Sequence, residues 1–334
     1  YQLHFGGFTV RHWQRASAKN SGLIRKVVAT RTLSRSLERE LVELQPSVVA
    51  VRSVAYLPLG VKVKQRTGAK LMYDIHELET ETAGLTGVKK RLYKFIESNR
   101  IRAADGVIVV SDSIADWYRD VYKIERPTVV RAVPDSSQRI LNQYPETARE
   151  LFGLSEDVTL FAYAGLLDAN RGIGKLIEIF RNAPPDKKIL FMGSGAMADE
   201  VKKEAKSSNS IFYLPSVEPE KVISRLQGVD AGLMLTKAGV LSHEFALPNK
   251  FFQYLFAGAS VICSEAPEMA KLIEKHNCGW TFGNAEGALE ELIYGLTKGE
   301  IQSKQIAALE AATEFTWEAE EEKLIAAYAR LLNG

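Results

Sequence analysis

Short apolar runs alternate with longer amphipathic stretches along the second half of the chain. The runs are four or five residues long and rich in β-branched or aromatic side chains, which is typical of buried parallel strands. Strands are predicted at 159–163, 188–192, 211–214, 231–235, 260–263 and 279–282, and helices at 172–182, 196–206, 219–227, 248–257, 266–276 and 284–297. Six such units are enough for one doubly wound α/β domain.

The first half of the chain shows the same alternation with fewer strands. Strands are predicted at 47–51, 70–73, 106–110 and 128–130, and helices at about 33–45, 56–67, 87–103 and 112–121. Ser111 or Asp112 is a suitable N-cap for the last of these helices. This half is short by a strand or two, so we expect that sequence is missing near the N-terminus.

The alternation weakens after residue 134 and resumes near residue 158, which indicates a linker at 135–157 with one short helix. We therefore predict an N-terminal Rossmann-like domain at 1–134 and a C-terminal one at 158–312. The remaining segment, 313–334, holds a last helix that can pack on either domain.

Composition restricts the class of protein. The 334 residues are 46% hydrophobic and 25% charged, which excludes a disordered, collagenous or coiled-coil chain. Two cysteines, Cys263 and Cys278, cannot form a disulfide framework, and no apolar run is long enough for a membrane helix. We expect a cytoplasmic protein.

The net charge of +2 hides an asymmetry between the two halves. Residues 1–150 hold 25 Lys and Arg against 16 Asp and Glu, whereas residues 151–334 hold 18 against 25. A basic half favours an anionic partner, such as a phosphorylated substrate, a membrane surface or nucleic acid. Ordinary solubility charge, with two domains that attract each other, explains the asymmetry equally well.

Two helix starts in the second half carry a fixed positive charge. Arg171 precedes the helix predicted at 172–182, and Lys250 lies in the first turn of the helix predicted at 248–257. Because ligands bind outside the carboxyl ends of parallel strands, both cations belong to the ligand-binding edge. Exposed amide groups and a cation together bind phosphate, so the pair predicts a diphosphate site. The alternative is two solvated surface bases.

Two other patterns are weaker. Residues 193–198 match the alanine-ended dinucleotide fingerprint, but the strand that should end in a carboxylate, at 211–214, has none. His76 lies in a carboxylate-rich loop with Asp74 and Glu77, yet the chain has only five histidines and none has a closely spaced ligand partner. No Asp-x-Asp sequence occurs, so we predict no metal site.

Several motifs together resemble one family. From about Lys70 to the C-terminus the chain resembles the GT-B glycosyltransferases, specifically the retaining enzymes of glycosyltransferase family 4. The matching pieces, in order, are Tyr73-Asp74-Ile75-His76-Glu77, Asp105-Gly106-Val107-Ile108-Val109-Val110-Ser111, Tyr163-Ala164-Gly165 with Arg171-Gly172, Gly193-Ser194-Gly195, Pro248-Asn249-Lys250-Phe251-Phe252-Gln253-Tyr254 running to Gly258, and Phe315-Thr316-Trp317-Glu318. Their order and spacing over roughly 260 residues are specific.

The resemblance implies two Rossmann-like domains that face each other across a cleft, with the acceptor on the N-terminal side. It implies catalytic roles for His76, Arg171 and Glu244. It also implies that a nucleotide-sugar donor, such as a UDP- or GDP-sugar, is held mainly by the C-terminal domain. The implied donor-binding residues are Gly165, Gly193, Ser216, Val217, Pro248, Asn249, Lys250 and Gln253.

The chain departs from the family pattern at two places. Leu166 stands where the family commonly has an arginine, and Gln253 stands where it has a second glutamate. Glu244 is also one residue further from that position than the usual spacing. The amide of Gln253 can still hydrogen-bond a ribose hydroxyl.

The predicted function is transfer of a hexosyl or N-acetylhexosaminyl group, with retention and without a metal or other cofactor, in polysaccharide or glycolipid synthesis. A nucleotide-sugar epimerase and a non-catalytic nucleotide-sugar-binding protein are the alternatives, and nucleic acid is not an expected partner. Lys89, Lys90, Arg91 and Lys94 lie on a basic amphipathic helix, which could place the protein on the cytoplasmic membrane face near a lipid-linked acceptor. A core-packed helix with a solvated face is the other interpretation.

Overall fold

Two parallel β-sheets form the framework of the chain. The computed structural model describes residues 2–5, 8–11, 23–139, 147–236 and 238–333. The N-terminal elements are β1 (Gln2–Phe5), β2 (Phe8–Arg11), α1 (Leu23–Glu43), β3 (Val48–Val51), α2 (Leu57–Thr67), β4 (Lys70–Ile75), α3 (Gly87–Arg100), β5 (Gly106–Val109), α4 (Asp112–Tyr122) and β6 (Thr128–Val129). Strands β3, β4, β5 and β6 pair in that order as a parallel sheet, and β1 and β2 form a separate antiparallel pair.

The C-terminal elements build a larger sheet. In chain order they are α5 (Ala148–Leu151), β7 (Thr159–Ala164), α6 (Ile173–Arg181), β8 (Lys187–Met192), α7 (Ala198–Ser207), β9 (Ile211–Leu214), α8 (Val222–Leu226), β10 (Ala231–Met234), α9 (Leu241–Glu244), α10 (Asn249–Phe256), β11 (Ser260–Ser264), α11 (Pro267–His276), β12 (Gly279–Phe282), α12 (Ala288–Gly295), α13 (Lys298–Glu314) and α14 (Trp317–Asn333). The six strands are parallel, in the order β12-β11-β10-β7-β8-β9.

The order of this sheet determines where a ligand can bind. The chain runs outward from β7 through β8 to β9, returns to β10 beside β7, and then runs outward on the other side. The loops after β7 and β10 therefore leave in opposite directions and open a crevice at their carboxyl ends. The predicted parallel α/β architecture is confirmed for both halves, and the C-terminal sheet is doubly wound.

The predicted linker is wrong in its last part. Residues 140–146 lie outside the described residues, but residues 147–157 belong to the C-terminal domain. Ala148 is fully buried in its core, and the Arg149 guanidinium donates to the Asp230 carboxylate at 2.7 Å. Asp230 also accepts from the amide of Leu160 at 2.7 Å, so this buried pair ties α5 to the strands it precedes.

The structure also decides where the last helix packs. Ala327 and Leu331 of α14 lie in one buried cluster with Met72 and Ile108 of the N-terminal sheet. The Glu320 carboxylate accepts from the amide of Arg131 at 2.9 Å. The chain therefore returns to the N-terminal domain after completing the C-terminal one.

Candidate functional site

A cavity of about 450 Å³ opens at the carboxyl edge of the C-terminal sheet, beside the crevice between β7 and β10. It is lined by residues from the ends of β7 and β8, the loop after β9 and the start of α10. All residues that the sequence predicts to bind the donor line it: Gly165, Gly193, Ser216, Val217, Pro248, Asn249, Lys250 and Gln253. The structure thus brings together residues that are up to 88 positions apart.

The floor of the cavity depends on close approach between two strand ends. A Cβ atom at Gly193 would lie 1.8 Å from the carbonyl oxygen of Gly165. Gly165 has φ of +132°, a conformation that side-chain-bearing residues rarely adopt. Only glycine at 193 allows the chain after β8 to pass this close to the chain after β7.

Tyr254 fixes α10 against the sheet. Its buried hydroxyl accepts a hydrogen bond from the amide of Ala164 at 2.9 Å and donates to the carbonyl of Ala162 at 3.3 Å. Its ring occupies the space above Gly232, where a Cβ atom would come within 2.2 Å. Lys250 and Gln253 lie in the same short helix, so these contacts also set their positions beside the cavity.

Lys250 is held over an aromatic ring. Its Nζ lies 4.2 Å from the centroid of the Tyr163 ring, a cation–π geometry. Burial, together with the nearby positive charge of Arg171, lowers the pKa of Lys250 to about 7. The positive charge of Arg171 therefore reaches Lys250, which lies where the sequence predicts a diphosphate site.

Arg171 supplies this charge from the loop after β7. It ends a single 3-10 turn, Ala169–Arg171, whose first residues are held by the Asp168 side chain. Burial raises the pKa of Tyr163 to about 12, and the charge of Arg171 opposes this effect. Within the described residues no carboxylate forms a salt bridge with Arg171 or with Lys250. Hydrogen bonds from Asn170, and to a smaller extent the charge of Arg171, lower the pKa of the neighbouring Asp168 carboxyl.

His76 lies outside this cavity, in the loop after β4 of the N-terminal domain. It is exposed, and its Nε2 lies 3.4 Å from the carboxylate of Asp74, which also accepts from Arg52 at 3.0 Å. Burial alone would raise the pKa of Asp74, but His76 and Arg52 together hold it below its usual value. The Asp74 carboxylate is therefore placed to orient the His76 ring.

Glu244 also lies outside the cavity. Its Oε1 accepts from the amide of Gly239 at 2.8 Å and so stabilises the loop between β10 and α10. The same loop reaches the other domain, because Leu241 and Phe245 pack against the core of the N-terminal domain and the Ser111 hydroxyl donates to the carbonyl of Phe245 at 2.8 Å. The role of Glu244 at the sugar stays a prediction.

The two domains meet at a second contact that sequence reasoning missed. The buried Glu268 carboxylate, in the first turn of α11, accepts from the amides of Asp112 at 3.1 Å and Ser113 at 2.9 Å. It thus caps α4 of the opposite domain, together with the predicted cap, Ser111. No local signal marks Glu268, because both partners come from a segment more than 150 residues away.

Neither a metal-binding cluster nor a membrane-spanning helix occurs in the part of the chain that the structure describes. No group of three or more His, Cys, Asp or Glu side chains in the described ranges could hold a metal ion. None of the described helices is both long enough and apolar enough to cross a bilayer.

A larger cavity of about 530 Å³ lies elsewhere, at the amino edge of the N-terminal sheet. Gly106 and Thr128, at the starts of β5 and β6, line it together with Arg330 of α14. None of the predicted site residues lines this cavity.

Comparison with known families and structures agrees with this architecture. Residues 1–134 match the model of the glycosyl transferase 4-like domain. No curated protein sequence matches the chain.

Solved structures match nearly the whole chain at low sequence identity. Sucrose-phosphate synthase from Thermosynechococcus elongatus aligns with a TM-score of 0.80 and 14% identity, over 99% of this chain and 86% of its own. HepE from Anabaena, solved with UDP, aligns with a TM-score of 0.68 and 14% identity over 90% and 82%. A glycosyltransferase from Rickettsia africae aligns with a TM-score of 0.67 and 15% identity over 96% and 84%. The fold is that of the GT-B glycosyltransferases.

Proposed function

We propose that this protein is a retaining glycosyltransferase. The GT-B fold and the match of residues 1–134 to the model of the glycosyl transferase 4-like domain support this proposal. It transfers a sugar from a nucleoside-diphosphate sugar to an acceptor hydroxyl. The observation that carries the proposal is a single cavity lined by all the predicted donor-binding residues, Lys250 among them. Arg171 does not line this cavity, but its positive charge acts on Lys250.

The cavity suits a nucleotide in size and chemistry. A volume of about 450 Å³ lies within the range of small-molecule sites. Ser216 and Val217 offer a surface for the base, and the half-buried Gln253 amide offers hydrogen bonds to a ribose. The diphosphate would then lie at the first turn of α10, between Lys250 and Arg171.

Sugar transfer needs the leaving diphosphate to be stabilised as the glycosidic bond breaks. Arg171 holds fixed positive charge where that negative charge grows, and Lys250 adds a second charge when it is protonated in the complex. Such preorganised charge contributes about 2 to 4 kcal/mol to the transition state. The sugar itself passes through an oxocarbenium-like state, which requires no side-chain nucleophile. His76 lies near the sugar in this proposal, with its ring oriented by Asp74.

UDP is the nucleotide to test first. HepE has been solved with UDP and with UDP-glucose, and a structure of S. aureus TarM holds UDP. A hexosyl or N-acetylhexosaminyl donor and a glycan or lipid-linked acceptor complete the proposed reaction, in polysaccharide or glycolipid synthesis.

A second candidate is a nucleotide-sugar-binding protein without turnover. Leu166, where the family commonly has an arginine, is 56% exposed at the end of β7, beside the cavity. An apolar side chain there removes one charge from the diphosphate site. Binding of UDP without release of sugar in any assay would select this candidate.

The experiment that tests the proposed activity incubates the full chain with a panel of UDP-, GDP-, ADP- and TDP-sugars and a simple glycoside acceptor. We expect one donor to be consumed, and proton NMR of the product to show the anomeric configuration of that donor. An inverted product would contradict retention. Release of an isomerised nucleotide sugar without any acceptor would instead identify an epimerase.

Lys250 makes the binding of a diphosphate depend on pH. Its pKa is about 7 in the free protein, and an adjacent diphosphate favours the charged ammonium, so binding raises that pKa. Above pH 7 the lysine must therefore take up a proton when UDP binds, and the Kd rises with pH by up to about tenfold per unit. Below pH 7 the lysine is already charged and this dependence disappears.

Calorimetry at pH 8 in two buffers of different ionisation enthalpy measures this uptake. We expect close to one proton per UDP bound, since the terminal phosphate is fully ionised above about pH 7 and does not contribute. The variant Lys250→Met should bind UDP weakly and without proton uptake. Equal heats in both buffers for the unmodified protein would show that Lys250 does not contact the diphosphate.

A further inference from the structure

Helix α3 carries an apolar stripe that nothing covers in the described structure. Val88, Leu92 and Phe95 are 81%, 52% and 66% exposed. At about 100° per residue they lie within about 60° of one another on the helix surface. Large side chains are rarely grouped in this way on a solvated helix, and such a patch marks an interaction surface.

The opposite side of α3 fixes the direction in which the stripe points. Glu97 is fully buried, and its carboxylate accepts from the hydroxyls of Tyr73 at 2.8 Å, Tyr118 at 2.6 Å and Tyr122 at 2.7 Å. Burial raises the pKa of Glu97, although these three bonds oppose that effect. Because three phenols from β4 and α4 hold this one carboxylate, the helix cannot rotate the stripe inward.

Free positive charge flanks the stripe. Lys89, Arg91 and Arg100 are exposed, and in the part of the chain that the structure describes none of them pairs with a carboxylate. Lys90 and Lys94, by contrast, both pair with Glu81 at the edge of the buried face. The only acid in α3 is the buried Glu97, so every charged side chain on the exposed face of this helix is cationic.

The position of α3 relates this face to the cleft. The helix begins 11 residues after His76, which follows the carboxyl end of β4. The segment 76–86 therefore connects the carboxyl end of β4, where His76 lies, directly to the start of α3.

We propose that this face of α3 docks on an anionic lipid bilayer. The apolar stripe enters the interface while Lys89, Arg91 and Arg100 lie against anionic headgroups. A second copy of the chain fits less well, because symmetric pairing would bring the same cations together. The inference rests on the proposed function for its consequence: the acceptor is lipid-linked and reaches the cleft from the membrane.

Co-sedimentation with vesicles tests the docking. We expect the full chain to bind vesicles of equal parts phosphatidylcholine and phosphatidylglycerol at low salt, and to bind phosphatidylcholine alone at least about tenfold more weakly. The double variant Leu92→Ser/Phe95→Ser should lose about tenfold or more in vesicle affinity, because two inserted apolar groups are removed. The double variant Lys89→Glu/Arg91→Glu should lose at least as much, because it reverses charge at two places.

Matched controls lie on other surfaces. Ile325→Ser removes an apolar side chain that is 61% exposed on α14, and Lys271→Glu reverses an exposed charge on α11. Both should bind vesicles as the unmodified protein does. All variants should keep the thermal unfolding temperature and the UDP affinity of the unmodified protein, because no substituted residue lines the donor cavity.

Three results would overturn the proposal. They are no binding to the anionic vesicles at low salt, undiminished binding by both double variants, and a dimer in size-exclusion chromatography that Leu92→Ser/Phe95→Ser converts to a monomer. The last would identify the stripe as a self-association surface. UDP binding is measured separately, so a protein that binds vesicles but no nucleotide would reject the proposed function and leave the docking in place.

Discussion

Replacing Arg171 with alanine is expected to lower turnover by about two to three orders of magnitude. Arg171 lies at the end of a short turn before α6 and acts electrostatically on both Lys250 and Tyr163. Within the described residues it forms no salt bridge with a carboxylate. A fixed charge at the leaving group contributes about 2 to 4 kcal/mol to the transition state. Steady-state kinetics with the donor identified in the panel measure the effect.

The control for this variant lies at the other end of the same helix. Arg181 ends α6 and forms an exposed pair with Glu204 at 2.9 Å, which is worth at most about 1 kcal/mol. Arg181→Ala should leave turnover within about twofold. If the two variants lose activity equally, or if Arg171→Ala loses less than a few-fold, Arg171 does not stabilise the leaving group.

Gly193→Ala is expected to abolish UDP binding and to lower the thermal unfolding temperature. The added methyl group would overlap the carbonyl of Gly165, and neither backbone can move without breaking the hydrogen bonds at the ends of β7 and β8. One of these is the bond from the Gly165 amide to the Met192 carbonyl at 2.9 Å. Forcing two strand ends apart lowers the free energy of unfolding several times more than a surface substitution does.

Gly174→Ala is the matched control. Gly174 lies in the first turn of α6, and a Cβ atom there would meet only the end of the Met197 side chain, at 3.9 Å. Alanine is the better helix former, so this variant should be neutral or stabilised by about 0.5 to 1 kcal/mol. Thermal unfolding and UDP titration of both variants compare the same chemical change in two backbone settings. Normal binding by Gly193→Ala would show that the observed approach of the two strand ends is not required.

The sheets and the grouping of the predicted site residues around one cavity were largely predictable from sequence. Strand β9 is apolar over its whole length and β7 over all but its first residue, which is a local signal that does not depend on the rest of the fold. The cavity residues followed from the resemblance, and their grouping agrees with the rule that chemistry lies at the carboxyl ends of parallel strands. Gly193 and Lys250 are distant in sequence, yet parallel topology alone brings both to one edge.

Other features were not predictable because they depend on long-range packing. The Arg149–Asp230 pair, which assigns α5 to the C-terminal domain, joins residues 81 positions apart. The contact of Leu331 with Met72 depends on how the two domains meet. Helix α13 was missed although its signal is local: Thr297 and Glu300 form a capping box that separates it from α12.

Glu244 shows the limit of inference from a family pattern. The spacing placed it one residue away from the usual position, and in the structure its carboxylate holds the Gly239 amide. A carboxylate that accepts a hydrogen bond from a backbone amide of its own loop cannot be identified from sequence, because the conformation of the loop determines which donor lies within reach.

The central claim is that Arg171 and Lys250 bind a diphosphate. Calorimetric titration with the nucleoside, monophosphate and diphosphate of both uridine and guanosine tests it most directly. In the series that binds, we expect the diphosphate to bind about 10- to 100-fold more tightly than the monophosphate and the nucleoside to bind most weakly, because each added charge gains hydrogen bonds from these cations. Equal affinity for the nucleoside and the diphosphate would contradict the account.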